Sequence, residues 1–268
     1  MLTPGFRHAL RLAARLATLS LALTALPAAA AEVKARAEYM VTMGGTHVAN
    51  VRINLTDGGS AYSLVLDAKI SGLAQLVASG TAKATSTGSS SDKGLRAQRF
   101  DLVTRAVGEE FTSSITYSGG TVDTFKVTPP IINNIDRVAI ERKHLASASD
   151  MMAPFVLRGP ALDRTLCARQ MPIFTGVERF NLSLKYVKDD TATSKRTGYQ
   201  GPLVLCSVHY TPISGHYTTS EITTYLAANE RILIWFAPLK TPGYYIPYRA
   251  LITTEAGDLS VVLTDLAE

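Results

Sequence analysis

The chain has 268 residues, 46% of them hydrophobic, and 27 Lys and Arg face 22 Asp and Glu for a formal net charge of +5. Three of those cations, Arg7, Arg11 and Arg15, lie within the first 31 positions; without them 24 basic residues oppose 22 acidic ones, close to neutrality. That balance excludes a nucleic-acid binder, which needs a basic stripe and usually a higher charge.

The same three arginines open the first predicted element. They form a positive n-region, residues 16–26 form a short apolar run, Pro27 breaks it, and Ala29-Ala30-Ala31 supplies the small residues of a cleavage site. This is the layout of a secretory signal peptide over 1–31, with Glu32 as the first mature residue. The run of about eleven residues is too short to span a bilayer as a helix; the alternative reading is an uncleaved N-terminal anchor. No Cys follows the cleavage position, so no lipid attachment is read there, and no later stretch is apolar enough for a span. Residues 32–268 then make a single β-rich domain, with a possible two-half organisation, 32–130 and 160–268, around a helical connection at 131–159.

"AEYMVTM", "HVANVRINLT" and "AYSLVLDAKI" are three strands joined by the turns "GGT" and "DGG", where Gly supplies the positive φ that tight hairpins require. From Val51 onward the second strand alternates strictly, so one of its faces is wet. "SGLAQLVAS" reads as a helical turn with Leu73, Leu76 and Val77 on one side. "GTAKATSTG" resumes an extended pattern, "GSSSDKG" is a polar loop, and "LRAQRFDLVTRA", "EEFTSSITYSGG" and "GTVDTFKVTPP" continue the meander. Residues 129–163 break the alternation. There Ser149 caps a predicted helix over 150–158, whose Met151, Met152, Phe155 and Val156 form an apolar stripe. Strand patterns return in "TLCARQMPIFTG", "VERFNLSLKYVKDD" and "GPLVLCSVHYTP". Thr218 and Glu221 fit a capping box ahead of a helix in "TTSEITTYLAANE", and "RILIWFA", "YIPYRALITT" and "LSVVLTDL" close the chain. About thirteen strands and two short helices give a mainly β fold: a large antiparallel sheet that curls into a β-spiral or a partly open barrel.

The two cysteines, Cys167 and Cys206, are an even count in an exported chain and predict a disulfide between two strands. The bridge would close a loop of about 40 residues and contribute roughly 4 kcal/mol on the chain-entropy model. A redox or metal pair would call for the close C-x-x-C spacing that is missing here.

The densest aromatic stretch is "ILIWFAPLKTPGYYIPYRALI", with the only Trp of the chain at its centre. Two readings stand side by side. The rings plug the core of a curled sheet, where aromatics bury about 150–250 Å² each, or Trp235, Phe236, Tyr245 and Tyr248 line a groove for an apolar ligand. Residues 232–236 are apolar at every position, which predicts cover on both faces of that strand, the outer cover being the helix at 220–228.

Catalytic and metal patterns are weak. His209 and His216 flank "YTPISG", yet with His47, His144, Glu221 and Asp136 they match no zinc or iron spacing. Asn133, Asn134 and Asp136 fall short of a calcium loop, and there is no G-x-S-x-G elbow. The chain is therefore read with no cofactor and no metal.

"RQMPIFTGVERFNLSLKYV", "GYQGPLVLCSVHYTPISGH" and "ILIWFAPLKTPGYYIPYRALITTEAGDLSVVL" resemble a bacterial family known only as a domain of unknown function, number 3108. The family's "fDG-x-R" turn falls on residues 174–179, with Thr175 in place of the usual Asp. Its "W-x-x-P … P-x-R" ending falls on Trp235, Pro238, Pro247 and Arg249. The resemblance implies an exported, β-rich envelope protein of Gram-negative bacteria, of alphaproteobacterial type and periplasmic location, and brings no catalytic residues. The expectation is a non-enzymatic periplasmic protein serving cell-envelope maintenance, through an apolar, lipid-like ligand or an envelope partner protein. The alternative is an envelope-directed hydrolase of glycan or ester with its site near His209 and His216.

Overall fold

Runs of alternating polarity separated by Gly-containing turns fold as hairpins, and hairpins account for most of the described residues. The computed structural model describes residues 32–268 apart from 77, 78, 133, 134 and 256. The predicted signal peptide therefore lies outside the described residues, as do Asn133 and Asn134 and the one-sided packing predicted for Leu73, Leu76 and Val77; the backbone of Gly72–Leu76 is a 3-10 turn.

Seven consecutive strands form the first half: β1 Val33–Met43, β2 Thr46–Asp57, β3 Ala61–Ile70, β4 Gly80–Ser91, β5 Gly94–Ala106, β6 Glu109–Ser118 and β7 Thr121–Thr128. The polar run "GSSSDKG" is not a loop. Its serines continue β4, and only Asp92 and Lys93 turn, because Ser86 and Ser90 point inward and are buried. After an irregular segment come the two-residue β8 Leu157–Arg158, β9 Arg169–Phe174, β10 Arg179–Ala192 and β11 Gly201–Ser214. The helix α1 Glu221–Ala228 precedes β12 Ile232–Pro238, β13 Tyr244–Thr254 and β14 Gly257–Ala267.

All of them belong to one antiparallel sheet in the order β7-β6-β5-β4-β3-β2-β1-β14-β13-β12-β11-β10-β9, with β8 paired to β13. Each half is a meander, and the pairing of β1 with β14 splices the two ends of the described chain, Ala37 opposite Leu266 and Met43 opposite Leu259. A sheet this wide must curl, and bulges bend it. Register shifts occur in β1, β4, β6, β10 and between Trp235 and Phe236. At the β4 bulge only glycine fits: a Cβ on Gly88 would sit 2.0 Å from the Arg96 carbonyl oxygen.

The sheet is not closed by a backbone ladder; its edges are β7 and β9. Side chains bring those edges together. Ser113 Oγ donates to the Thr175 carbonyl at 2.9 Å, and the rings of Phe125 and Phe174 meet edge-on at 5.0 Å. The segment after β7 then covers β9. Ser149 N donates to Pro172 O at 2.7 Å and Phe174 N to Ser149 O at 2.8 Å, which uses up the exposed edge.

The helix predicted over 150–158 does not form. Pro154 has no N–H to give a helix. Asp150, rather than Ser149, accepts from Met152 N (2.6 Å) and Ala153 N (2.8 Å), leaving a 3-10 turn at Ala153–Phe155 that leads into β8. The only α-helix among the described residues is α1, and its cap is Ser220, whose Oγ accepts from Thr223 N at 3.2 Å. The predicted cap Thr218 is occupied elsewhere: its N and Oγ1 both donate to Asp136 O.

Two apolar clusters hold the sheet. The first fills the curl with Leu55, Leu64, Phe100, Ile115, Phe174 and Leu263. The second lies around the disulfide with Leu157, Leu166, Met171, Val204 and Phe236. Cys167 and Cys206 are bonded with their Cα atoms 5.5 Å apart, as the sequence predicts. Cys167, however, ends the 3-10 turn Arg164–Cys167 just before β9 rather than sitting in a strand. β12 and β13 feed both clusters, Trp235 and Ile246 into the first, Phe236 and Tyr245 into the second. The two-sided cover predicted for 232–236 is thus present, but its outer layer is mainly the disulfide region. Of α1, only Leu226 and Ala227 pack there.

Candidate functional site

Inward positions follow the strand period of two. On β1 they are Ala35, Ala37 and Tyr39; on β2, Val51, Ile53 and Leu55; on β3, Leu64 and Leu66. These side chains, small on β1, leave a hollow of about 380 Å³. The far wall is Ile234 of β12, Ile246, Pro247 and Ala250 of β13 and Val261 of β14. The apolar stripe Met151, Met152, Phe155 and Val156 closes the side, delivered by the irregular segment instead of a helix.

Among the described residues no Asp, Glu, His, Lys or Arg lines this space. The only polar side-chain group on the wall is the Tyr39 phenol, which donates to the Pro247 carbonyl at 2.9 Å; burial pushes its pKa well above the usual tyrosine value. The volume falls within the range of ligand pockets, roughly 300–1,000 Å³.

One end is sealed by buried polar side chains. Asp57, fully buried, accepts from Ser90 Oγ (2.5 Å), Tyr244 OH (3.0 Å) and Gly59 N (2.8 Å). Arg158 lies 3.8 Å from that carboxylate with its guanidinium 3.7 Å from the centre of the Tyr244 ring. Beside it Tyr62 OH and Ser86 Oγ are 2.8 Å apart, and Ser86 donates to Asp150 at 2.6 Å. Burial pushes the Asp150 carboxyl up from the usual carboxylate range, against the pull of Ser86 and two backbone N–H groups. It pushes the Tyr62 and Tyr117 phenols up too, helped by the Asp150 charge. At the other end Val41, Ala49 and Ala68, also inward by the strand period, remain half-exposed.

The four aromatic residues singled out from the sequence do not line this hollow. Trp235 is half-buried; its indole N–H donates to Asp190 Oδ2 at 2.9 Å and the Arg249 guanidinium lies 5.4 Å from its ring centre. That N–H holds the Asp190 carboxyl below its usual range. Phe236 and Tyr245 are packed in the disulfide cluster, and Tyr248 is buried with its OH donating to Thr197 Oγ1 at 3.1 Å. Phe236, Tyr245 and Tyr248 are thus buried in packing, whereas Trp235 is held at the half-buried margin by Asp190 and Arg249. Their neighbours Ile234, Ile246, Pro247 and Ala250 form the wall. The signal for the rest was available in the strict alternation from Val51 and in the small Ala35 and Ala37, which mark an inner face that does not fill itself.

The histidines of the hydrolase alternative are not assembled into a reactive pair. His209 is exposed on β11 opposite Ser183. His216 sits in the turn beyond, its carbonyl accepting from Val138 N and its ring Nδ1 buried without a partner. Among the described residues no group of three or more His, Cys, Asp or Glu is placed to hold a metal, and no helix is long and apolar enough to cross a membrane.

The sequence model of a family described as protein of unknown function (DUF3108) matches residues 38–264. No curated protein matches the chain. Among solved structures, a β-barrel-like protein of domain of unknown function DUF1849 from Brucella abortus shares the fold. Its TM-score is 0.52 at 12% identity, covering 87% of this chain and 97% of that one.

Proposed function

The chain belongs to DUF3108, a family of proteins of unknown function, and from that premise we propose that it is a non-enzymatic binding protein of the bacterial periplasm. It holds an apolar ligand in the hollow between β1–β3 and β12–β14 and so serves maintenance of the cell envelope. One observation carries this reading: a preformed space of about 380 Å³ whose described wall has no carboxylate, histidine, lysine or arginine and whose single phenol is already hydrogen-bonded. Such a surface cannot polarise a bond or move a proton, but it removes apolar surface from water, at about 25 cal/mol per Å². The leader-like residues 1–31 support export.

A fluorescent apolar dye tests it. The mature chain should bind one dye, and Ala37→Phe, which shortens the hollow from β1, should weaken binding by roughly tenfold or more with the melting temperature held. In cells, that variant should fail to restore the detergent resistance lost on deletion, while appearing in the periplasmic fraction with Glu32 at its N-terminus. Dye binding unaffected by Ala37→Phe would place the apolar surface elsewhere and remove the hollow from the function.

A further inference from the structure

We propose that the occupant of the hollow is a single straight alkyl tail, inserted end-first, with whatever head it carries left outside; this rests on the apolar-ligand reading above. The shape is the first argument. The inward lining runs from Tyr39 to Ala35 on β1 and from Val51 to Leu55 on β2, four residue steps on each strand, or about 13 Å. The lining side chains of β1 are Ala at two of three positions, while Met151 and Phe155 press in from the side. The lining therefore offers a tail about 13 Å of apolar wall along the strands.

The second argument is polarity. A compact polar ligand needs convergent donors and acceptors for orientation. This wall has one hydroxyl, already used by Pro247 O, so nothing inside can read a head group. The third is the difference between the two ends. Beyond Leu55 and Leu64 the buried Asp57, Tyr62 and Tyr244 stop the slot with satisfied hydrogen bonds. Toward Val41, Ala49 and Ala68 the inner face stays apolar and half-exposed. Of the two ends this is the one that admits a chain, whose polar end then stays in water.

The wall is also fixed. The segment that carries Met151 and Met152 is tied by Ser149 to β9, by Asp150 to Ser86 and by β8 to β13. The slot is preformed, so its depth sets the length of tail it covers.

Calorimetry on the mature chain with straight 1-alkanols of increasing length tests this. Affinity should rise roughly fourfold per added methylene and then break to a plateau when the tail reaches Leu64. Exchanging the hydroxyl for a carboxylate or a trimethylammonium group should leave the break at the same length. Val51→Phe, at the half-exposed mouth, should weaken the longest alcohol by roughly tenfold or more. Ala37→Phe should move the break to shorter chains. Two outcomes overturn the tail while leaving an apolar ligand in place: adamantanol binding as tightly as the straight alcohol of equal carbon number, or a break that depends on head charge. Failure of every probe to bind folded protein removes both. A lysophospholipid and an N-acylated tripeptide bearing the same tail identify the donor of that tail; rejection of both overturns the inference.

Discussion

Two buried carboxylates, Asp57 and Asp150, show how this interior handles charge. Asp57 has a cation at 3.8 Å in Arg158 and neutral donors besides. Asp150 is served by Ser86 Oγ and two backbone N–H groups, all neutral. A buried carboxylate without a counter-ion is driven toward its neutral form, and burial does raise the Asp150 pKa. The sign of the linkage follows. Folded protein holds the Asp150 proton more tightly than unfolded chain. The stability tied to this group is therefore highest below the unfolded value of about 3.9, and it is lost as pH rises from there through the folded value. Asp150→Asn keeps an oxygen for Met152 and Ala153 and an amide for Ser86 but does not titrate. The stability difference between wild type and Asp150→Asn, measured by urea unfolding across pH, should move in favour of the variant as pH rises above about 4. A difference that stays flat with pH would mean that Asp150 remains ionised in both states at no cost.

At the scale of elements, the 3-10 turn Arg164–Cys167 ahead of β9 is tied to β11 through the disulfide, and Leu166 and Val204 share its cluster. With a sequence separation of 39, its removal in a Cys167→Ala, Cys206→Ala double variant should cost about 4 kcal/mol. The measurement is a lower urea midpoint, with a steeper slope because the unfolded chain is no longer cross-linked. An equal midpoint would show that packing alone fixes the junction. Outer faces use a different device. Glu38, Arg52, Asp67 and Lys83 stand opposite one another across β1 to β4, with contacts of 2.9 Å between Arg52 and Glu38 and 3.5 Å between Lys83 and Asp67. Exposed pairs contribute little stability, but alternating signs oppose a one-residue slip that would turn every side chain over. Strands and the disulfide were legible because alternation, glycine turns and cysteine parity are local signals. The helix at 150–158 was misread because its apolar stripe is real, while Asp150 answers to Ser86 from 64 residues away. Thr175 was legible only as a departure from the family turn. In the structure its Oγ1 accepts from Val177 N at 3.2 Å and Glu178 N at 3.0 Å, which closes the turn. The hollow was missed for a related reason. The aromatic cluster draws attention by composition, whereas the wall is a set of ordinary aliphatic residues brought together by register.

For the whole molecule the decisive feature is that a sheet spliced at β1 and β14 ends in two edges that meet without pairing. Every other neighbour along the sheet is joined by a backbone ladder. The seam relies on Ser113 with Thr175, Phe125 with Phe174, and the segment laid over β9. It should then be the weakest line around the curl, opening at lower free energy than the ladders. Gly176 is the place to test this. It has φ of +90° and its missing Cβ would lie 2.2 Å from Ser113 Oγ and 3.1 Å from Val127, so Gly176→Ala both strains the β9–β10 turn and pushes β6 and β7 away. The expected result is selective. Amide exchange should speed up in β7 and β9 while β1, β2 and β14 keep their protection, and the strand signal in far-ultraviolet circular dichroism should be unchanged. Exchange that accelerates equally in all strands would mean that the curl opens only by unfolding as a unit, and that the two edges are held as firmly by side chains as the other strands are by hydrogen bonds.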